Sequence, residues 1–403
     1  MIMEKELIEK APLKNILSKC VNDPRVAYLQ DHVEPFFRTI EDKQGQIVTV
    51  DGKELITFGT CDYLGLSTHE RIKQAMSKSL LENDITTSSS RALCGSLESH
   101  KKLESMLCNY VGGEKCLSYI LGFMANLGTI SALTSSSDII LVDAKSHASI
   151  IDGCRLSGAK MVPYKHNDMF DLEKKILRYK ENKIIVTDGV FSMDGDLAKL
   201  DEIYYLGQKY DAALYVDDAH GLGMFGKTGS GTPEHFGLQG KIDVVMGTLS
   251  KSVPCLGGYV LAQKEVAKYL ECTSRTYIFT LGLPGYITDA CIEALTIMQE
   301  EPNHLKRLWD NIIFFKNALQ AKGFNLGATE SAIIPIHIND ETKTYKMALM
   351  LQDRGVFADA VFYPAVKKNE SRIRMTVTAG HTQRQLEKSV EIITGVGRDL
   401  GII

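Results

Sequence analysis

The chemistry that this sequence offers starts with a lysine and a pair of aspartates, all placed directly after apolar runs. Lys251 follows the run at 242–250, and Asp217 and Asp218 follow the run at 212–216. A lysine amine attacks carbonyl groups and forms Schiff bases when low polarity or neighbouring positive charge keeps part of it deprotonated. Taken alone, a lysine in a serine-rich turn is more typical of an exposed residue. The surrounding motifs must therefore show whether Lys251 is a Schiff-base lysine or an exposed one.

The elements that position these residues are short apolar runs that alternate with amphipathic stretches. The runs are DIILVD (138–143), KIIVTDG (183–189), AALYVDD (212–218), IDVVMGT (242–248) and GGYVLA (257–262). The amphipathic stretches are DLEKKILRYKEN (171–182) and LDEIYYLGQKYD (200–211). Continuous apolar strands alternating with helices predict an α/β fold with a parallel sheet covered on both faces. Ligand sites of such folds lie where the strands end, which is where the lysine and the aspartates stand.

The chain is long enough for more than one hydrophobic core. Residues 1–60 are predicted to form an N-terminal arm and a small strand unit, and residues 61–290 a large α/β domain. Residues 291–403 are predicted to form a smaller α+β domain, with strands at IIPIHI (333–338) and RIRMTVTA (372–379), a helix near 342–354 and a closing helix from Thr382.

Composition excludes several classes of protein. The net charge of -4, with Lys and Glu interspersed, provides no basic surface for nucleic acid. Nine scattered cysteines without C-x-x-C spacing indicate reduced thiols in a cytoplasmic protein, with no disulfide framework and no metal site. The N-terminus lacks the apolar core of a secretory signal, and the most apolar stretch, 117–133, is too short to span a bilayer. Peripheral contact with a membrane stays open.

Residues 221–228, GLGMFGKT, match the phosphate-loop pattern G-x-x-x-x-G-K-[ST]. That loop binds phosphate only when a helix begins at its lysine, so that backbone N–H groups point at the ligand. The following residues, GSGTPEHFG (229–237), cannot begin a helix at Lys227. The match is therefore interpreted as a glycine-rich turn, and a nucleotide hydrolase is kept only as a distant alternative.

Four motifs resemble, in order and spacing, those of the α-oxoamine synthases. They are SHASIIDG (146–153), TDGVFSMDGD (187–196), YVDDAHGLG (215–223) and MGTLSKSVPCLGGYV (246–260). This family of pyridoxal 5'-phosphate (PLP) enzymes includes serine palmitoyltransferase, 8-amino-7-oxononanoate synthase, glycine C-acetyltransferase and 5-aminolevulinate synthase. The resemblance covers nearly the whole chain and implies fold type I, the aspartate aminotransferase-like fold. The segments GFMANLG (122–128), YKHNDM (164–169), RTYIFT (275–280) and ATESAIIPI (328–336) are most similar to bacterial serine palmitoyltransferases.

The resemblance implies roles for residues around the cofactor ring. Lys251 matches the lysine that holds PLP, and Asp217 matches the acid that keeps the pyridine nitrogen protonated, with Asp218 as its rival. His147 matches the residue that stacks on the ring. His220 and Ser192 match the groups beside the 3'-oxygen of the ring.

The resemblance also implies a site for the phosphate. Thr248 matches a phosphate ligand, and the backbone of Gly122 and Phe123 would lie against the phosphate, an approach that a glycine permits. Thr280 would reach the phosphate of the opposite subunit, which implies a homodimer with shared active sites. His100, in SHKKLE, is a weaker candidate without an assigned role.

On the substrate side, Arg374 matches the arginine that binds the amino-acid carboxylate, for which a two-pronged guanidinium is suited. Arg372 is predicted to be an ordinary surface residue of the same strand. Three departures from the family pattern fall here: TTSSSRALCG (86–95) replaces a glycine-rich stretch, Cys61-Asp62 stands where an asparagine is usual, and Leu121 replaces a serine. These departures leave serine as the first choice of amino acid, with glycine, alanine and cysteate open.

The implied reaction is a decarboxylative Claisen condensation of an amino acid with an acyl thioester, carried by CoA or by acyl carrier protein. With serine and palmitoyl-CoA the product is 3-ketodihydrosphingosine, the first intermediate of sphingolipid synthesis. Another α-oxoamine synthase is the main alternative.

Overall fold

The structure is a computed structural model that describes residues 15–22, 35–363 and 365–403. Residues 1–14 and 23–34, most of the predicted N-terminal arm, lie outside the described residues. The strands are β1 (Asp42–Gln44), β2 (Ile47–Val50), β3 (Lys53–Thr57), β4 (Lys115–Tyr119), β5 (Ile139–Asp143), β6 (Lys160–Tyr164), β7 (Lys183–Asp188), β8 (Ala212–Asp217), β9 (Val244–Ser250), β10 (Pro254–Ala262), β11 (Ile333–His337), β12 (Val356–Phe357), β13 (Asp359–Val361) and β14 (Arg372–Thr376).

The helices are α1 (Asn15–Asn22), α2 (Glu70–Glu82), α3 (Glu98–Leu107), α4 (Gly122–Leu133), α5 (Ala148–Ser157), α6 (Met169–Arg178), α7 (Leu200–Lys209), α8 (Thr232–His235), α9 (Lys264–Thr273), α10 (Arg275–Ile278), α11 (Gly285–Glu300), α12 (Asn303–Ala321), α13 (Glu341–Asp353) and α14 (Gln383–Asp399). Both amphipathic stretches of the sequence form helices, α6 and α7. Within the described residues, no helix is both long and apolar enough to cross a membrane.

A seven-stranded sheet has the order β4-β10-β9-β8-β7-β5-β6, and every neighbouring pair from β9 to β6 is parallel. Strand β10 runs antiparallel to both β9 and β4. The reason is the connection, because only residues 251–253 separate β9 from β10, whereas a parallel crossover needs a dozen or more residues. The predicted mostly parallel sheet is confirmed, and its single reversal places Lys251 in a tight turn at the carboxyl end of β9.

Both faces of this sheet are covered. Along β5, Ile139 and Leu141 belong to one buried cluster, and Ile140 and Val142 belong to the cluster on the other face. Each fully buried aliphatic side chain of this size contributes roughly 1.5–3 kcal/mol. The sheet is therefore a well-packed scaffold, and the ends of its strands are fixed points for functional side chains.

The N-terminal and C-terminal parts of the chain meet in a small mixed sheet. Strand β3 pairs with β2 and, in parallel, with β12, while β11, β14 and β13 form a separate antiparallel sheet. Phe58, just after β3, stacks between Phe315 of α12 and His381 at 4.9 and 4.5 Å. Because of this pairing the N-terminal strands pack with the C-terminal residues, and the predicted boundaries at 60 and 290 stay a prediction.

The segment GLGMFGKT (221–228) forms a glycine-rich turn, and no helix begins at Lys227. The Glu234 carboxylate accepts hydrogen bonds from the backbone N–H and hydroxyl groups of both Thr228 and Ser230. The N–H and hydroxyl groups that would have to bind a phosphate are therefore already hydrogen-bonded to an acidic side chain. This arrangement argues against nucleotide binding at the turn.

Candidate functional site

A cavity of about 270 Å³ opens at the carboxyl ends of β7, β8 and β9. Its position follows from the parallel strands, whose polar terminal residues all meet at one edge of the sheet. It is lined by Leu121, Gly122, Phe123, Asn126, His147, Ser149, Asp188, Asp217, Ala219, His220, Met246, Thr248, Ser250 and Lys251.

Among the described residues, Lys251 is the one lysine that lines this cavity, and the turn after β9 places it there. Burial lowers the pKa of its amine, and the positive charge of Arg374 acts in the same direction, while Cys61 and Asp217 raise it. The net effect is a lowered pKa, which increases the fraction of free amine. That free amine is the species that condenses with a carbonyl group.

The two adjacent aspartates that end β8 have different surroundings. Asp217 lines the cavity, where its Oδ2 accepts a 2.6 Å hydrogen bond from Asn126 Nδ2 and its Oδ1 accepts one from the Ala219 N–H. Asp218 instead accepts hydrogen bonds from the backbone N–H and the hydroxyl of Thr232, and burial raises its pKa to about 7. The rival aspartate is therefore engaged in holding the turn before α8.

A third carboxylate, Asp188, also lines the cavity and was not predicted from the sequence. It ends β7 directly beside Asp217, and its Oδ2 accepts the backbone N–H of His147. Burial and the charge of Asp217 raise the pKa of Asp188 well above its ordinary value. The sequence contained a signal for Asp188, because the apolar run KIIVTD (183–188) ends in an aspartate just as the run AALYVD (212–217) does.

His147 occupies the N-cap of α5, and its Nδ1 lies 2.7 Å from the Ser149 hydroxyl. Burial lowers the pKa of His147. Its ring lies 6.2 Å from that of Phe123 with an interplanar angle of 75°. This neutral, oriented ring at the cavity wall is suited to stacking on a planar ligand.

His220 also lines the cavity and is hydrogen-bonded to a tyrosine from a distant part of the chain. Its Nδ1 lies 2.6 Å from the Tyr63 hydroxyl, and burial lowers its pKa well below the ordinary value. Tyr63 was not predicted as a site residue. No motif reveals it, since 157 residues separate the partners.

The opposite end of the cavity is formed by backbone and hydroxyl groups. Helix α4 begins at Gly122, and the side chain of Leu121 at its N-cap makes no capping hydrogen bond. A Cβ on Gly122 would lie 3.0 Å from Thr248 Oγ1, so glycine allows this close approach. The N–H groups of a first helical turn lack intrahelical acceptors and carry partial positive charge, which suits a phosphate. Thr248 and Ser250, whose hydroxyls lie 2.8 Å apart, stand at the same place.

Arg374 lies on β14 with 8% of its surface exposed. Its Nε donates to the Ser192 carbonyl at 2.6 Å, and its Nη2 lies 3.9 Å from Cys61 Sγ. One edge of the guanidinium is thus fixed by the backbone of Ser192, and Nη1 lies 3.7 Å from Asp359. Cys61, Arg374 and Lys251 form one group, since Cys61 and Arg374 both influence the pKa of the lysine.

The prediction that Arg372 is a surface residue is wrong. Its exposure is 2%, and its guanidinium forms an ion pair with Asp194 and donates to the carbonyls of Met193 and Glu370. All five residues of β14 are buried, so the alternation of side chains along the strand did not reveal the burial of Arg372. Arg372 holds the loop 192–194 against β14, and the same loop holds Arg374.

Three other predicted residues have local structural roles. Asp62 does not line the 270 Å³ cavity, and its two carboxylate oxygens accept hydrogen bonds from the N–H groups of Leu66 and Ser67, so its assignment to the substrate stays a prediction. The Thr280 hydroxyl donates to the Thr276 carbonyl, and Thr280 does not line the cavity of its own chain. His100 is buried, with Nε2 at 2.7 Å from the Leu283 carbonyl. The Ser192 carbonyl accepts the hydrogen bond from Arg374 Nε, and Ser192 lines a second cavity.

That second cavity, of about 440 Å³, adjoins the first at His147. Residues from the loops after β5 and β7 and from the segment before β14 line it, among them Lys145, Ser192, Lys367 and Arg372. It therefore lies beside the predicted ring-stacking residue, and its charged lining residues include both basic side chains and the carboxylates of Asp194 and Glu370.

The donor set fits the cofactor that the sequence implies. One cavity combines a lysine with lowered pKa, a carboxylate held by an amide, a neutral imidazole, and a helix N-terminus next to two hydroxyls. These groups complement an aldehyde, a ring nitrogen, a flat ring and a phosphate, in that order.

Comparisons with known proteins agree with this set. The profile of class I and II aminotransferases matches residues 53–393. An 8-amino-7-oxononanoate synthase of Thermoanaerobacter pseudethanolicus is 42% identical, over 90% of this chain and 93% of that protein. A serine palmitoyltransferase of Sphingobacterium spiritivorum is 45% identical, over 88% and 90%. A serine palmitoyltransferase structure from S. paucimobilis, solved with bound PLP, has a TM-score of 0.93 at 31% identity, covering 97% of this chain and 100% of that one.

Proposed function

Because the chain belongs to the class I and II aminotransferase family and, within it, to the PLP-dependent α-oxoamine synthases, we propose that it condenses L-serine with a long-chain acyl thioester such as palmitoyl-CoA. The products would be an α-amino ketone, carbon dioxide and free thiol. The observation that carries the proposal is that Lys251 and Asp217 line one cavity, while the nearby charge of Arg374 acts on the Lys251 amine.

When bound, PLP supplies an aldehyde that condenses with amines and a ring that accepts electron density from the substrate Cα. Lys251 would hold it covalently, and Asp217 would stabilise the proton on the ring nitrogen. His147 would stack on the ring, with His220 and Ser192 beside its 3'-oxygen. The backbone at Gly122 and Phe123, together with Thr248, would bind the phosphate.

Arg374 would bind the carboxylate of the incoming amino acid. Its Nε is occupied by the Ser192 carbonyl, so the carboxylate would be bound by Nη1 and Nη2, which lie 3.7 Å from Asp359 and 3.9 Å from Cys61. Lys251, once released from the cofactor, would take the proton from the substrate Cα at its Nζ. A lowered pKa suits that task, since a base works best near the operating pH.

The second cavity is our proposed site for the acyl thioester. It adjoins the first at His147. Lys145, Lys367 and Arg372 line it together with Asp194 and Glu370, and Lys367 would contact an anionic carrier such as CoA or the phosphopantetheine of acyl carrier protein. Attack of the substrate Cα on the acyl carbonyl releases the thiol, and loss of carbon dioxide from the carboxylate held by Arg374 completes the reaction. The same proposal includes a homodimer in which Thr280 reaches the phosphate site of the partner subunit. It also includes a cytoplasmic location.

The second candidate is the reaction of an 8-amino-7-oxononanoate synthase. The similar identities of 42% and 45% support both reactions, and Cys61 replaces the asparagine usual in the family beside the proposed amino-acid carboxylate site. The two candidates share all cofactor residues and differ in the amino acid and the acyl chain.

The test is a matrix of amino acids and acyl donors with the purified PLP enzyme. L-serine, glycine, L-alanine and L-cysteate would each be combined with palmitoyl-CoA and with a short dicarboxylic acyl thioester, and thiol release and carbon dioxide would be measured together. Serine with palmitoyl-CoA is expected to give the highest kcat/KM. A preference for alanine with the dicarboxylic donor would replace our proposal by the second candidate, and no product with any pair would refute both. The K251A variant is the control for background thiol release.

A further inference from the structure

Three side chains able to bind a metal ion lie together outside both cavities. His69 is the N-cap of α2, Glu301 is the C-cap of α11, and His304 is in the first turn of α12. Glu301 Oε2 lies 3.6 Å from His69 Nε2 and 3.3 Å from His304 Nε2, and the three donor atoms all lie within 4.8 Å of one another. An ion bound at about 2.0–2.2 Å in a tetrahedral site holds its donor atoms roughly 3.3 Å apart. The spacing therefore needs only a small adjustment to hold one ion.

The groups behind two of these donors orient them as the outer partners of metal ligands do, whereas His69 Nδ1 is buried without a hydrogen-bond partner among the described residues. His304 Nδ1 lies 3.1 Å from the Leu64 carbonyl, and donation of the Nδ1 proton to that carbonyl leaves the lone pair on Nε2 facing Glu301. Glu301 Oε1 accepts a hydrogen bond from Arg71 Nη1, which leaves Oε2 for the ion.

The charges around the cluster tolerate a cation. Arg71 is already paired with the carboxylates of Glu293 and Glu300 at 2.6 and 2.9 Å, so its positive charge is compensated without Glu301. Arg307 Nη2 lies 3.0 Å from His304 Nδ1 and is the one competing donor. If Arg307 donates to Nδ1, the ring proton is on Nε2 and is donated to the Glu301 carboxylate. In that arrangement the three side chains are held together without an ion.

The cluster is accessible. A groove of about 520 Å³ includes His69 and His304 in its wall. The side chains of His69, His304 and Glu301 are 21%, 13% and 38% exposed. A fourth coordination position can therefore be filled by water from the groove. Two imidazoles and one carboxylate select zinc and neighbouring transition metals over magnesium and calcium, which prefer oxygen ligands.

We propose that His69, Glu301 and His304 form a binding site for one zinc-like divalent transition-metal ion, separate from the PLP cavity. No metal site was predicted from the sequence, because residue 69 is far from residues 301–304 in the chain and only the fold brings them together. The bound ion would connect the start of α2 to the start of α12 and fix the Leu64 carbonyl. Leu64 adjoins Tyr63, which contacts His220 of the PLP cavity.

The experiment counts zinc ions bound to the PLP enzyme. After removal of trace metal with a chelator, zinc would be titrated calorimetrically and bound zinc counted by elemental analysis in wild type, H69Q/H304Q, E301Q and H235A. We expect H69Q/H304Q and E301Q to bind one equivalent less than wild type, and H235A, which alters an exposed histidine elsewhere, to match wild type. Equal stoichiometry and affinity in wild type and H69Q/H304Q would overturn the proposal and assign the zinc to the free thiols. No binding to wild type would overturn it as well.

Two further variants distinguish metal binding from a purely structural ion pair. R71Q removes an outer partner of Glu301 and is expected to weaken zinc binding about ten- to a hundredfold. R307A removes the competing donor and is expected to leave zinc affinity unchanged or higher. Circular dichroism of each variant identifies any that fail to fold, and E301Q, the smallest change, stays informative if the double variant does not. Weaker binding in R307A than in R71Q would contradict the proposed roles.

Discussion

The Tyr63 hydroxyl lies 2.6 Å from Nδ1 of His220, although the two residues are far apart in sequence. Burial raises the pKa of Tyr63 and lowers the pKa of His220, so both groups are neutral at pH 7. A neutral phenol can donate to Nδ1 or accept from it, and in either case the hydrogen bond holds the imidazole in place. Tyr63 therefore fixes the orientation of the proposed ring contact.

We predict that Y63F lowers kcat about tenfold, equivalent to about 1.4 kcal/mol of activation free energy, while PLP stays bound. The reason is that the His220 ring would lose the hydrogen-bond partner that fixes its orientation. Steady-state kinetics with serine and palmitoyl-CoA would measure the change. Y119F is the matched control, since Tyr119 is equally buried but its hydroxyl donates to Ser274, which does not line the cavity. An equal loss of kcat in both variants would show that the effect is only structural.

Arg374 is predicted to determine the KM for the amino acid. Removing one partner of a buried charged pair costs about 2–5 kcal/mol, so R374A is expected to raise that KM at least thirtyfold, on the scale of about 1.4 kcal/mol per tenfold change. R374K keeps the charge but loses the two-pronged geometry and should fall between R374A and wild type. The KM for the acyl thioester is the internal reference. A larger change in that KM than in the amino-acid KM would contradict the assignment.

The sequence predicted the large sheet because its strands are continuous apolar runs, which do not depend on distant contacts. It also located the cavity, since Asp217 and Lys251 directly follow such runs. Strand β10 was grouped with the parallel strands, and its reversal is explained by the three-residue turn at 251–253. The length of that connection was visible in the sequence and would have predicted the reversal.

What the sequence could not predict depends on partners from other elements. Arg372 is an ordinary strand arginine until Asp194 is placed against it by the packing of β14 on the loop after β7. The hydrogen bonds that the Asp62 carboxylate accepts from the N–H groups of Leu66 and Ser67 were likewise not predicted. Tyr63 is recognised only through its contact with His220. In each case the partner, and not the residue type, determines the role.

His166 is predicted to make stability depend on pH. Burial opposes its charge, but the hydrogen bonds to Asp143 and Asp196 at 2.9 and 2.8 Å outweigh burial and raise the pKa of His166 to about 9. A raised pKa stabilises the fold fully below the ordinary value of 6.5, and this contribution is lost as the pH rises through 9. The loss is on the order of 3 kcal/mol.

Urea unfolding at pH 6, 7.5 and 9 would measure this contribution as a fall in the free energy of unfolding. In H166Q the charge is absent at every pH, so the fall over this range should be smaller by the amount that His166 contributes. The same slope in both proteins would mean that other groups cause it. Because His166 packs edge-on against Phe191 at 4.4 Å, next to Ser192, loss of its charge is also expected to loosen the loop that holds Arg374.

The last prediction separates the two adjacent aspartates at the end of β8. Asp217 lines the cavity, so D217N removes the negative charge proposed to stabilise the ring proton. A hydrogen bond to a charged group is worth about 1.5–3 kcal/mol, and a loss of that size predicts kcat lower by roughly ten- to a hundredfold. Asp218 binds both donors of Thr232, so D218N should instead lower the free energy of unfolding by about 1–3 kcal/mol, with kcat nearly unchanged.

Kinetics and urea unfolding of both variants therefore give opposite patterns. The two substitutions are chemically identical and lie one residue apart, so differences in expression or surface charge cannot produce this contrast. A strand directs neighbouring side chains to opposite faces, and only the face that opens into the cavity can affect the reaction. If D218N lost activity while D217N lost only stability, the acid that serves the cofactor would be Asp218, and the orientation of β8 at its carboxyl end would have to be reversed.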